Sequence, residues 1–144
     1  MIVFLNTHLF KLAKDCSHNS DYTGCGSARI GTVVTYKGTV LAKGWNSNKT
    51  HSDQARFNKV RYQNTGNQYL PDKLHSEVMA LTKVKYLDID FTKVEVYNYR
   101  EFKDGSMALS RPCSACMKMI KELGIRTINY TTPDGFATEK LAKK

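Results

Sequence analysis

Leu5, Leu9, Leu12 and Cys16 recur at intervals of four, three and four, the spacing of one helix face, and predict an amphipathic N-terminal helix. The pattern breaks at His18 to Gly26, a stretch rich in Ser, Asn, Asp and Gly that reads as a loop. Arg29 to Thr35 then reads as a strand, Lys37-Gly38 as its turn, and Thr39 to Lys43 as the returning strand of a hairpin. Asn46 to Lys73 is the least regular part, with Arg56 to Tyr62 as a short helix. A connection of that length is usually functional or holds structure of its own.

Beyond Pro71, apolar order returns. Leu74, Val78 and Leu81 fall at helical spacing, which places His75 and Glu77 in the first turns of a helix. Val94 to Tyr99, rich in β-branched and aromatic residues, predicts a strand. Pro112 suits the first turn of the next helix, where its missing N–H costs nothing. Cys116, Met119, Ile120 and Leu123 form that helix's apolar face, and Gly124 is placed to end it. Thr127 to Thr131 is another strand, and Pro133-Asp134-Gly135 a turn before a basic tail. Helix, hairpin, helix, strand, helix, strand is the order of an α/β sheet with helices packed on it. No repeat or linker divides the chain, so residues 1–144 read as one domain.

Composition changes this picture little: 41% hydrophobic and 24% charged residues exclude a disordered chain. The opening apolar run, Met1 to Leu5, is too short for a signal-peptide core and has no basic stretch before it, so the expected location is the cytoplasm. Charge says more. Twenty-two Lys and Arg against 13 Asp and Glu leave a net +9, which favours anionic partners such as nucleic acid or nucleotides. No run of five basic residues concentrates that charge.

Two short segments carry the chemistry: His75-Ser76-Glu77 and Pro112-Cys113-Ser114-Ala115-Cys116. Cysteines three apart at a helix start can turn both sulfurs to one metal. One nitrogen and two sulfurs leave a tetrahedral zinc with an open position, the layout of a catalytic site. Zinc in such a site activates water at neutral pH. A carboxylate beside it, Glu77, would protonate a ring nitrogen and help an amine to leave as ammonia. A lone Cys-x-x-Cys could equally be redox-active or part of a closed zinc ribbon. The two segments in order, with 34 residues between Glu77 and Pro112, favour catalysis.

The residues resemble the cytidine and deoxycytidylate deaminase superfamily, whose signature is His-x-Glu followed by Pro-Cys-x-x-Cys. Arg29-Ile30-Gly31-Thr32-Val33-Val34 with Gly44-Trp45-Asn46 is similar to that family's hairpin, and Met117 to Tyr130 to its helix–strand unit after the cysteines. The resemblance covers about 100 residues, Arg29 to roughly Thr131. It implies a three-layer cytidine deaminase-like fold with a central mixed sheet of four to five strands flanked by helices. Only four strands are evident, so the fifth is either very short, near Phe136, or absent. It further implies His75, Cys113 and Cys116 as zinc ligands and Glu77 as proton shuttle. Asn46 would contact base or sugar, and the Ser76 backbone N–H the base carbonyl. No branch matches throughout. His75 departs from the Cys-first free-nucleoside enzymes, and Ser47-Asn48-Lys49 from the Gly-x-Asn-Gly segment of the deoxycytidylate enzymes. The 28 residues between Asn46 and His75 far exceed that link in the tRNA adenosine deaminases.

The expected reaction is hydrolytic deamination of cytosine to uracil in a phosphate-bearing substrate, with single-stranded DNA or another polynucleotide ahead of free dCMP. Adenosine deamination in RNA, or a non-catalytic nucleic-acid-binding module with structural zinc, are the remaining alternatives. The preference for a polynucleotide rests on the net charge and on a local excess of three positive charges between Asn46 and Lys73, with Arg56 and Arg61 as phosphate contacts. Trp45 and Tyr97 read as core residues, while Tyr130 suits either the core or stacking on a base. Cys16 and Cys25 read as buried apolar residues, although with His18 or His51 they could hold a second, structural zinc. No membrane partner is expected, and a homo-oligomer is compatible with the reading.

Overall fold

The Lys37-Gly38 turn closes the hairpin with both residues at positive φ (50° and 86°), the geometry that matches the twist of paired strands. Around it a computed structural model builds a mixed sheet; it describes residues 7–21, 28–48, 52–65 and 74–141. In chain order the elements are α1 (Thr7–Ser17), β1 (Arg29–Tyr36), β2 (Thr39–Trp45), α2 (Ser52–Thr65) and α3 (Ser76–Thr82). There follow a 3₁₀ turn (Phe91–Lys93), β3 (Val94–Glu101), α4 (Ser114–Leu123), β4 (Thr127–Thr132) and β5 (Gly135–Lys140).

The strands lie in the order β2-β1-β3-β4-β5. Only β3 and β4 are parallel, because α4 connects them as a crossover helix; every other pair is antiparallel. Alternation along β1 and β3 feeds two cores. Val33, Tyr97 and Tyr99 face α1, where Leu9, Phe10, Ala13 and Cys16 meet them. Val34, Val96 and Ile128 face the other way, against Val78 and Leu81 of α3 and Ile120 of α4. The result is three layers, with α1 on one face and α2, α3 and α4 on the other.

Three expectations need correction. The stretch after Asn46 is not irregular throughout: α2 runs for 14 residues, well beyond Arg56 to Tyr62. Its buried face hides polar residues, Gln54 and Asn58 beside Phe57, so no apolar period announces it. The fifth strand is a full six-residue edge strand, pairing Thr127 to Thr132 with Lys140 to Gly135. Its Phe136 stacks on Phe10 of α1 with ring centroids 4.2 Å apart. Finally, Pro112 precedes α4 rather than opening it, because Cys113 is the N-cap. Gly124 does end that helix, in the left-handed conformation (φ 94°). Leu5 and most of the 18–26 loop lie outside the described residues. Among the described residues no helix is long and apolar enough to cross a membrane.

Candidate active site

Both motif segments arrive at one edge of the sheet. Antiparallel pairing with β3 puts the start of β1 beside the end of β3, where Arg29 faces Glu101. The end of β2 lies there too, with Trp45 opposite Gly31. The loop after β3 returns along the same edge, held by Ser110 N–H donating to Thr131 O (2.9 Å), and delivers Cys113. Sites in open α/β sheets favour such crevices beyond the carboxyl ends of parallel strands.

His75 is the N-cap of α3 and Cys113 the N-cap of α4, each in extended backbone (ψ 154° and 172°). Neither side chain caps its own helix, which leaves both aimed at a common point. Cys116 follows one turn into α4 and is fully buried. His75 Nδ1 lies 3.3 Å from Cys116 Sγ and 3.5 Å from Cys113 Sγ, and all three donor atoms fall within 4.8 Å of one another. Tetrahedral zinc with Zn–N near 2.0 Å and Zn–S near 2.3 Å needs nitrogen and sulfur about 3.5 Å apart, so this donor set could hold a zinc ion. Cys113 is primed for it. The Cys116 side chain, hydrogen-bonded to Cys113, holds the Cys113 thiol down to about 3 against the opposing effect of burial, and His75 adds to the lowering.

Glu77 stands two residues on, in the first turn of α3, and is buried (5% exposed). Burial pushes its carboxyl above the usual glutamate range, and the neighbouring His75 works against that. Ser76 Oγ donates to Glu77 Oε1 (2.9 Å).

Other residues predicted from sequence are placed as follows. Asn46 is buried beside the site; its Oδ1 accepts from Ile30 N–H (3.0 Å) and its Nδ2 donates to Ala28 O (2.9 Å). The carboxamide thus pins the start of β1, while Ser47 N–H ties the same loop to Leu74 O (2.9 Å), directly before His75. Tyr130 is half-buried against the α3–α4 core, its hydroxyl 3.3 Å from Glu139 Oε1. Arg56 is not brought to this edge. It reaches Glu122 (3.7 Å) near the far end of α4, nine positions and about 13 Å of helix from Cys113. Arg61 shares α2, but its side chain lies outside the described residues. Cys16 sits on the buried face of α1, and His18 bonds Glu101 (2.5 Å); Cys25 and His51, the other candidates for a second zinc, lie outside the described residues.

Gln54 escaped the sequence reading. Its Oε1 accepts the His75 backbone N–H (2.9 Å), and its Nε2 donates to Asn58 Oδ1 (2.8 Å). Two fully buried amides on α2 therefore hold the backbone of a candidate metal ligand. The only signal in the sequence was their spacing of four on a polar helix.

Solved structures share this architecture. The dCMP deaminase of cyanophage S-TIM5, in apo form, is 25% identical, with a TM-score of 0.57 over 92% of this chain and 86% of its own. The same enzyme in complex with dCMP and dUMP matches with a TM-score of 0.57 at 21% identity, over 92% and 84% of the two chains. The cytidine deaminase of Burkholderia pseudomallei gives 0.62 at 14% identity, over 96% and 93%. No curated protein matches by sequence. The pattern described as the cytidine and deoxycytidylate deaminase zinc-binding region, however, matches residues 6–132, nearly the whole chain, and includes both segments that converge here. The chain belongs to the cytidine and deoxycytidylate deaminase family of zinc-binding enzymes.

Proposed function

We propose that this protein deaminates cytosine to uracil hydrolytically in a free pyrimidine nucleotide of the dCMP kind. The observation that carries the reaction is the buried Glu77 carboxyl beside the donor cluster of His75, Cys113 and Cys116. Bound zinc would supply water activation at neutral pH. Glu77 takes a proton from the attacking water and gives it to the ring nitrogen, then takes the remaining proton of that oxygen and delivers it to the amino group as it leaves as ammonia. Its raised proton affinity fits a group that must both accept and return a proton. The Ser76 backbone N–H, at the start of α3, orients the base through its carbonyl. Asn46 has one further N–H and one further lone pair in its inventory for base or sugar, beyond those pinning β1.

The position of Arg56 moves the preference from polynucleotide to nucleotide, since a phosphate track through it would run along the far end of α4. Similarity to a dCMP deaminase points the same way. The net charge of +9 is what favours single-stranded nucleic acid as the second reading. Uracil formation measured side by side on dCMP, cytidine, single-stranded DNA and RNA separates them. dCMP should be turned over fastest, and with Glu77→Ala its binding should exceed or equal that of a short oligonucleotide. Tighter oligonucleotide binding, with a log–log salt slope of several times about −0.7, would establish the polynucleotide instead.

A further inference from the structure

The sheet face beneath α3 and α4 is apolar at Val34, Val96 and Ile128 but polar at Thr32 and Asn98, which are as fully buried as their neighbours. Polar groups at core positions cost stability unless each is hydrogen-bonded, so their partners show what holds them there. Thr32 and Asn98 are direct neighbours in the β1–β3 register. Thr32 Oγ1 lies 2.7 Å from Asn98 Oδ1 and 2.7 Å from Ser76 Oγ. Asn98 cannot turn its oxygen away, because its Nδ2 donates to Ser110 O (3.1 Å); Ser110 Oγ donates in turn to the backbone carbonyl of Asn98 (2.9 Å), which fixes the loop against β3. Ser76 Oγ in turn reaches Glu77. A buried line of hydrogen bonds therefore runs from the Ser110 loop, through the sheet, to the carboxyl of Glu77.

We propose that Thr32 is a positioning residue for the reaction, acting on Glu77 through the Ser76 hydroxyl, with Asn98 as its anchor. The inference rests on the role given to Glu77 above. Glu77 needs a hydrogen-bond partner of fixed direction if its carboxyl is to stay aimed into the site, and Ser76 Oγ, 2.9 Å from Oε1, is that partner. Ser76 meets that need only if its own rotor is held. Thr32 holds it: its Oγ1 lies 2.7 Å from Ser76 Oγ, and Asn98 Oδ1, which can only accept, fixes Thr32 from the other side at 2.7 Å. The β-branched side chain of Thr32, stiff about χ1, fixes the relay to the sheet.

Thr32→Val removes the hydroxyl at nearly constant shape, and Thr32→Ser keeps it. In zinc-loaded protein, Thr32→Val should lower kcat about tenfold with KM and zinc content unchanged, and Thr32→Ser should restore most of the loss. Ser76→Ala should lower kcat comparably, and the Thr32→Val/Ser76→Ala double variant no further. A crystal structure of zinc-loaded Thr32→Val should show the Ser76 hydroxyl turned and its bond to Glu77 broken. An intact Ser76–Glu77 bond in that structure would overturn the proposal. So would equal losses in the Val and Ser variants, or multiplying losses in the double variant. Failure of the wild-type protein to form uracil from any cytosine substrate would sink the deaminase reading instead. The crystal structure would still decide the positioning role, and if Thr32→Val does not fold, Ser76→Ala and Thr32→Ser carry the comparison.

Discussion

Gly44→Ala tests whether the approach of α3 to β2 sets the site. Gly44 pairs with Thr32 in the sheet and faces the first turn of α3. A Cβ there would overlap the Ser76 carbonyl oxygen and lie 2.8 Å from the Ala80 backbone nitrogen and 3.2 Å from Ala80 Cβ. Carbon and nitrogen in ordinary contact sit about 3.5 Å apart, so the helix must retreat by roughly 1 Å. Two of the three obstructing atoms are backbone, and no side-chain rotation relieves them. Overpacking of this kind costs about 1–3 kcal/mol, and the lower unfolded-state entropy of alanine returns only about 0.5 kcal/mol. Thermal unfolding should therefore fall by roughly 5 °C for this size of chain. Activity should suffer more, since α3 carries His75 and Glu77 and a misplacement of about 1 Å can cost about a hundredfold. Gly105→Ala is the control: its φ of 88° strains an alanine, but nothing lies within 4 Å of the added carbon. That variant should lose stability and keep its turnover. Calorimetry and uracil formation on both variants give the answer. A Gly44→Ala protein as stable and as active as wild type would refute the close-approach argument.

Cys116→Ser should abolish stoichiometric zinc binding, because the fully buried sulfur is one of three donors. Chelation should then lower the melting temperature of wild type but not of the variant; one zinc per variant chain by elemental analysis would contradict the assignment. Glu77→Gln should eliminate turnover yet stabilise the metal-free protein near neutral pH. The sign follows from the raised carboxyl: the folded state holds the proton more tightly than the unfolded chain, so the wild type's stability is fullest below the ordinary glutamate range and falls as pH rises through the raised value. The Gln variant lacks that loss, so its advantage in chemical denaturation should shrink as pH drops towards about 4. An advantage that does not change with pH would mean the carboxyl is not penalised by burial.

Much of the candidate site was legible before any fold. His75, Glu77, Cys113 and Cys116 announce themselves because ligand spacing and helix starts are local properties, encoded within a few residues of one another. The hairpin at Lys37-Gly38 and the end of α4 at Gly124 are equally local, since each depends on one or two residues accepting positive φ. What tertiary structure alone decided is everything that depends on a distant partner. The edge strand β5 gains its identity from the β4 ladder and from Phe10, more than 100 positions away in the chain. α2 is a helix whose buried face is partly amide; Gln54 becomes an asset only where the His75 N–H meets it. Arg56 looked like a phosphate ligand by its nearness in sequence to Asn46, but a helix face, not sequence distance, decides direction, and it points to Glu122. Gly44 and Thr32 are unremarkable strand residues until α3 settles on them. Periodicity and capping are written into short segments, whereas strand order and close approach arise from burying surfaces contributed by the whole chain.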